Sequence, residues 1–166
     1  MPHDAAMNHV NASPPATAAG GVLSRTVFRA TFENVRLAIE KAMSALSPLG
    51  LTEEEKSSVE IVLAEALNNI VEHAYPVPAP DQPIDINCNM RSDGLHVTIE
   101  DKGHPMPDGK APIGMAQNLD VDLMDLPEGG FGWFLIQDLA KDVRYQRHET
   151  INRLDLRIAI SMQRTQ

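Results

Sequence analysis

Three polar side chains at helical spacing are the first residues in this sequence that could do chemistry. Glu65, Asn69 and His73 recur at every fourth position of EALNNIVEHAY, so in a helix they lie within about 80° of one another, opposite the apolar side chains. A carboxylate can act as a general base, and an amide oxygen one turn later can bind Mg²⁺ without adding charge. The alternative is the solvated face of an amphipathic helix.

A second candidate is a carboxylate at the end of a strand pattern. Asp101 falls in step with Val97 and Ile99, so its side chain is predicted to point to the covered face of a sheet. A buried carboxylate needs hydrogen-bond donors, and the exocyclic amine of a ligand would supply one. The plainer interpretation is a turn-forming Asp ahead of Gly103.

A third candidate is a cluster of glycines. Gly129, Gly130 and Gly132 lead directly into an apolar helical segment. Backbone N–H groups at the start of a helix can approach phosphates closely when no side chains intervene. A hinge before a core helix is the alternative.

Length and composition limit what these residues can belong to. The chain has 166 residues, 43% of them hydrophobic, and a net charge of −9, which predicts one acidic globular domain. This charge argues against a direct nucleic-acid or membrane-surface binder. Cys88 is the one cysteine, so no intramolecular disulfide forms, and a buried apolar position suits it better than a reactive one. The absence of a membrane-length apolar run and of a signal-like start predicts a cytoplasmic protein.

The elements that position the three candidates follow from periodicity and turn signals. We expect a flexible tail over residues 1–22 and one domain over 23–163, with a functional loop or lid at about 108–128. The fold class is predicted as α+β, a two-layer sandwich with helices on one face of a mostly antiparallel mixed sheet. The expected elements are a strand over SRTVFRATF, helices over 33–46 and 52–75, strands over 84–90 and 95–101, a helix over 131–141, and strands over 143–145 and 154–160 with a turn near Asn152.

Taken in this order, the three segments resemble the N, G1 and G2 boxes of the GHKL superfamily of ATP-binding domains, which have the Bergerat fold. They are most similar to the anti-sigma factor serine kinases of bacterial partner-switching systems. EALNNIVEHAY is similar to that group's E-x-x-x-N-x-x-x-H-[AG]-Y helix, and IEDKGHPMP to its D-x-G-x-P strand end. GGFGWFLIQDLAKDVRY followed by NRLDLRI is similar to its glycine-rich lid end, helix and closing strands. The resemblance covers roughly residues 24–161.

The resemblance implies a role for each matching residue. Glu65 would be the catalytic base that acts on a serine hydroxyl, and Asn69 would be the Mg²⁺ ligand. Asp101 would accept a hydrogen bond from the adenine N6 amine, and Gly103 would allow close approach of the base. The other cofactor-binding residues that the resemblance implies are His73, Pro105, Gly129, Gly130, Phe131 and Gly132.

The resemblance also implies ATP and Mg²⁺ as cofactors and an anti-anti-sigma (STAS-domain) protein as the substrate. It leaves open a sigma factor as a further partner, and a homodimer. The expected function is therefore an ATP-dependent protein serine/threonine kinase in a regulatory partner switch.

One segment departs from the family pattern. Residues 120–128, DVDLMDLPE, carry four acids and no Lys, Arg, Ser or Thr, where some family kinases have basic or hydroxyl residues. This supports ATP binding better than phosphotransfer and keeps one alternative open: a non-catalytic interaction module that binds nucleotide, or none, and sequesters a regulator. A sensor histidine kinase fragment is disfavoured because only the 22-residue tail precedes the domain. A gyrase- or chaperone-type ATPase would need an additional transducer domain.

Overall fold

The computed structural model describes residues 22–75, 81–112 and 130–161 of the chain. Eight main elements lie in these ranges, and a π-helical turn, Ile70–Ala74, continues the second helix. The elements are β1 (Val22–Arg29), α1 (Phe32–Leu46), α2 (Glu53–Asn69), β2 (Pro83–Arg91), β3 (Gly94–Asp101), α3 (Gly130–Leu139), β4 (Ala140–His148) and β5 (Ile151–Ile158).

The five strands form one sheet in the order β1-β2-β3-β5-β4. Each neighbouring pair is antiparallel, so the parallel pairing of a mixed sheet does not occur among the described strands. The α+β class is confirmed. β3 lies at the centre of the sheet and pairs with β5, which brings two strands far apart in sequence side by side.

The core lies between the helices and one face of this sheet. Alternate residues of β2, β3 and β5 are buried, Ile86, Val97 and Leu156 among them, while the residues between them are polar and partly exposed. Cys88 is fully buried in β2, as predicted. The helices therefore cover a single face, and the other face is polar.

The second helix begins as predicted and ends differently. Thr52 Oγ1 accepts from the Glu55 backbone N–H, and the Glu55 carboxylate accepts from the Thr52 N–H, which completes a capping box. A continuous α-helix to Tyr75 is wrong, because the chain widens into a π turn from Ile70 to Ala74. A π turn rotates through fewer degrees per residue about the helix axis than an α-helix does. His73 therefore does not lie at the angle from Glu65 that uniform α-helical spacing predicts.

The closing hairpin has its turn close to the predicted position, but Asn152 itself is not part of it. The turn predicted near Asn152 lies at Glu149 and Thr150, where Glu149 adopts a positive φ of 53°. Asn152 is instead a buried residue of β5 that pairs with Asp101 of β3. The last helix also ends at Leu139, two residues before the predicted end, because β4 begins directly at Ala140.

Candidate functional site

A cavity of about 460 Å³ lies where α2, its π turn and α3 meet the ends of β3 and β5. Its polar lining comes from several elements that are distant in sequence. The polar lining residues are Asn69, His73, Asp101, His104, Tyr145 and Asn152, and the apolar ones include Ile70, Met106 and Trp133.

The structure brings four of the sequence-predicted site residues to this cavity: Asn69, His73, Asp101 and Pro105. The side chain of His73 is largely exposed and lies 3.8 Å from the Glu72 carboxylate. The remaining predicted residues take other positions.

Asp101 contributes a deeply buried carboxylate to the cavity wall. It is 6% exposed, which confirms that its side chain turns to the covered face. Its Oδ1 accepts from the Gly103 backbone N–H at 2.8 Å and from Asn152 Nδ2 at 2.8 Å. Burial raises the pKa of this carboxyl, while the two hydrogen bonds and the positive charge of Arg147 oppose the rise. Two protein donors therefore serve Asp101 without any ligand.

Asn152 is a residue of the cavity lining that the sequence analysis missed. Its Nδ2 donates to Asp101 Oδ1 and also lies 3.0 Å from the His104 carbonyl, while its Oδ1 accepts from Tyr145 Oη at 2.7 Å and from Arg147 Nη1 at 2.6 Å. The signal was present in the sequence. Asn152 alternates in step with the buried apolar residues that follow it in β5, as Asp101 does with those that precede it in β3.

Gly103 lies behind the cavity wall and does not line it. A Cβ atom at this position would come within 2.6 Å of the Ala74 side chain and carbonyl oxygen. The next residue, His104, donates its backbone N–H to the same carbonyl at 2.7 Å. The glycine therefore allows the loop after β3 to pack on the end of the π turn.

Glu65 and Gly132 contact each other at the start of α3. A Cβ at Gly132 would overlap Oε2 of Glu65 and would lie 3.7 Å from Asn69 Nδ2. The glycine thus lets the first turn of α3 lie directly over the Glu65 carboxylate. Phe131 is 44% exposed and stacks on Phe134 with ring centroids 6.3 Å apart, outside the cavity lining.

Two further predictions fall at the limits of the described ranges. Gly130 is the first residue of α3. Gly129 and residues 113–128 of the predicted lid lie outside the residues that the structure describes. Within the described ranges, no helix is long and apolar enough to cross a membrane, and no three His, Cys, Asp or Glu side chains cluster as metal ligands.

Residues 28–158 match the family model of the histidine kinase-like ATPase domain. The chain belongs to this family. The expected ATPase-type resemblance is therefore confirmed over most of the chain, including the helix, strand end and closing hairpin that form the cavity.

Relatives of this histidine kinase-like ATPase domain carry a more specific name. The serine-protein kinase RsbW of Bacillus subtilis (strain 168) is 28% identical over 106 residues, which cover 63% of this chain and 66% of the relative. The serine-protein kinase RsbW of Staphylococcus aureus (strain Newman) is 31% identical over 116 residues, which cover 69% of this chain and 72% of the relative. The chain thus spans about two thirds of each relative's length.

A solved structure shares the fold. The crystal structure of the RsbU and RsbW domains of a Mycobacterium tuberculosis protein superposes with a TM-score of 0.57 and 14% sequence identity. The match covers 82% of this chain and 32% of that longer chain. The structural match confirms the fold, and the sequence matches confirm the resemblance to serine-protein kinases named RsbW.

Proposed function

We propose that this chain is an ATP-dependent protein serine/threonine kinase whose nucleotide site is the cavity between the second helix and the ends of β3 and β5. One observation carries the proposal: the same cavity is lined by a buried carboxylate, Asp101, and by Asn69, whose amide nitrogen has no hydrogen-bond partner among the described residues. The name of the relatives, serine-protein kinase, supports this assignment.

Asp101 and its surroundings suit the adenine end of the cavity. Both hydrogen bonds to its side chain end on Oδ1, and Oδ2 accepts none from the described part of the chain. A free carboxylate oxygen is an acceptor for the exocyclic amine of adenine. Met106 and Trp133 supply apolar surface for the ring, as mostly apolar ligand pockets do.

Asn69 suits the phosphate end. Its Nδ2 is buried and has no hydrogen-bond partner among the described residues, and leaving a polar group in that condition costs roughly 1–3 kcal/mol. The amide therefore fits a bound group that satisfies it. Its oxygen is a hard ligand of the kind that Mg²⁺ prefers, so Asn69 would hold Mg²⁺ together with phosphate oxygens. Bound Mg²⁺ would neutralise charge on the transferred phosphate.

We assign Glu65 to proton transfer at the same end. Glu65 lies in α2 one helical turn before Asn69. Its carboxylate contacts Gly132 in the first turn of α3. The backbone N–H groups of that first turn suit phosphate oxygens. A serine hydroxyl is a weak nucleophile at neutral pH, and we assign Glu65 as the base that accepts its proton.

The partner belongs to the same proposal. The substrate would be an anti-anti-sigma protein with a STAS domain, phosphorylated on Ser or Thr in the cytoplasm, where ATP is supplied. A sigma factor as a further partner, and a homodimer, stay open within this proposal. The partner assignments rest on the family resemblance, and the names of the relatives support only the serine-protein kinase activity.

Replacing the base tests the kinase assignment. Glu65→Gln keeps the shape of the side chain but cannot accept a proton, so transfer of the labelled γ-phosphate from ATP to a candidate STAS-domain protein should fall by about 10²–10⁴-fold. ATP affinity, measured by calorimetry, should stay near the wild-type value. The matched control is Glu60→Gln, an exposed glutamate of the same helix.

Two outcomes would contradict the proposal. Wild-type transfer by Glu65→Gln would remove Glu65 as the base. ATP binding without transfer by the wild-type protein to any STAS-domain partner would favour the non-catalytic interaction module.

A further inference from the structure

We propose that Asn152, oriented by Tyr145 and Arg147, is a specificity-determining residue that makes the site select adenine over guanine nucleotides. It does so by occupying one oxygen of Asp101. The inference rests on the proposed nucleotide site and adds a residue and a selection rule to it.

The orientation of the Asn152 amide is set by its neighbours. Its Oδ1 accepts a hydrogen bond from Arg147 Nη1 at 2.6 Å, and an arginine side chain can only donate. Asn152 Oδ1 also accepts a hydrogen bond from the Tyr145 hydroxyl at 2.7 Å. Because that hydroxyl accepts a hydrogen bond from the Met106 backbone N–H at 3.0 Å, its own proton points to Asn152. The oxygen of the amide must face this pair. Nδ2 must therefore face Asp101.

The consequence for Asp101 is that its two oxygens are no longer equivalent. Oδ1 already accepts two hydrogen bonds, from the Gly103 N–H and from Asn152 Nδ2, each at 2.8 Å. Oδ2 accepts none from the described residues. Asp101 is 6% exposed, so these bonds form away from competing water. One acceptor oxygen thus remains for a ligand.

A single acceptor distinguishes the two purine bases. Guanine presents N1–H and the N2 amine side by side, which suits a carboxylate with both oxygens free. Adenine presents one amine beside an unprotonated ring nitrogen and needs only one acceptor. With Oδ1 occupied, guanine would bury a donor without a partner, and a site of this kind rejects such a base strongly.

Arg147 has a second part in this arrangement. Its Nη1 donates to the Gly103 carbonyl at 3.0 Å as well as to Asn152, so it links the loop after β3 to β5. Its positive charge also opposes the effect of burial on Asp101, which favours the ionised, accepting form of the carboxylate. Arg147 is therefore a positioning residue.

The test measures the ratio of the dissociation constants for GTP and ATP by calorimetry in the presence of Mg²⁺. The wild-type protein should prefer ATP, and Asn152→Ala should reduce the preference by about tenfold, the value of one hydrogen bond to a charged group. The matched control is Asn89→Ala, a partly buried asparagine of β2 outside the cavity lining. It should keep the wild-type ratio.

A third nucleotide isolates the reason for the change. Inosine triphosphate has the N1–H of guanine but lacks the N2 amine. In Asn152→Ala, GTP affinity should therefore improve more than inosine triphosphate affinity. Equal changes for the two, or an unchanged ratio of GTP to ATP, would overturn the inference.

A second variant covers the case in which Asn152→Ala does not fold. Arg147→Met removes one of the two donors that orient the amide and should lower the preference for ATP in the same direction. Its control is Arg144→Met, in the same strand but on the polar face, opposite Asp155. An unchanged preference in a folded Arg147→Met protein would contradict the role of Arg147. If the wild type bound no nucleotide, the proposed function itself would fail; tight, selective ATP binding with an unaltered ratio in Asn152→Ala would overturn only this inference.

Discussion

At the residue scale, the buried carboxylate of Asp101, to which we assign adenine binding, has a cost for the stability of the fold. Burial raises its pKa above the ordinary value of 3.8, so the folded protein binds this proton more tightly than the unfolded chain. The free energy of unfolding therefore falls as pH rises from 3.8 through the folded-state pKa. At neutral pH the ionised carboxylate lowers stability.

Asp101→Asn should separate stability from binding. An amide oxygen can still accept from Gly103 and Asn152, while the buried charge is removed, so the melting temperature should stay equal or rise. Because the amide can present a donor to the adenine amine, ATP affinity should fall by ~2–3 kcal/mol. Calorimetry and thermal unfolding on the same samples measure both effects. Unchanged ATP affinity would remove Asp101 from the site.

The same strand parity explains what could be predicted about these residues and what could not. The alternation of apolar and polar residues in β3 is enough to predict that the Asp101 side chain points to the covered face. Asn152 has the same parity, but asparagine is also a frequent turn residue, and the closing turn lies only two positions earlier. The residue type therefore fits a turn as well as a buried strand position, and alternation alone does not decide between them. The hydrogen bonds from Tyr145 and Arg147 to Asn152 depend on the register between β4 and β5, which cannot be read from the sequence alone.

At the element scale, the capping box of α2 anchors the helix that carries Glu65 and Asn69. Glu55 accepts from the Thr52 backbone and also from the Ser161 backbone N–H at 2.7 Å, which joins the helix start to the chain after β5. These hydrogen bonds lower the pKa of Glu55 below its ordinary 4.5. The stabilisation is thus present above pH 4.5 and is lost as pH falls through the lowered pKa.

Thr52→Ala should lower the free energy of unfolding by about 1 kcal/mol, the usual effect of losing an N-cap hydroxyl. Denaturant unfolding near pH 7 measures this value. Ser57→Ala, an exposed hydroxyl inside the same helix, is the control and should change stability little. A Thr52→Ala protein as stable as the wild type would show that the cap is dispensable.

The far end of the same helix shows the limit of periodicity arguments. The segment IVEHA follows the α-helical spacing of its neighbours, so a uniform rotation per residue placed His73 on the arc of Glu65 and Asn69. The structure has a π turn there, and Gly103 and His104 pack against its last residue, Ala74. A distant loop therefore contributes to how this helix ends. No local pattern carries that information.

At the scale of the whole molecule, the rate at which Cys88 reacts with a thiol reagent can serve as a measure of global unfolding. It is fully buried in β2, burial raises the pKa of its thiol to about 11, and it is the one cysteine of the chain. A thiol reagent at pH 8 should therefore react only when the protein opens.

If ATP binds the folded state, ATP should slow this labelling. At a ligand concentration of 100 times Kd, the open population should fall by about 100-fold, and the labelling rate with it. The chain unfolded in denaturant is the control and should react at once with or without ATP. A labelling rate that ATP leaves unchanged would mean either that ATP does not bind or that Cys88 reacts without global opening.

The overall architecture was the most predictable level. Element order, the capping box and strand alternation each indicated the same two-layer α+β arrangement, because a helix and a strand each bury one face and must share a core. The strand order was not accessible in this way. β5 pairs with both β3 and β4, and that arrangement depends on contacts between residues more than 50 positions apart.

The direct pairing of β3 with β5 has a consequence for engineering and for divergence. The groups that we assign to base recognition come from residues 101 and 152, which backbone hydrogen bonds of the sheet hold in register. The acidic segment 120–128 lies between them in sequence, whereas residues 95–101 and 152–158 form the register. We therefore expect substitutions between residues 113 and 128 to leave this pairing unchanged, so that the proposed choice of nucleotide can be inherited while that segment diverges.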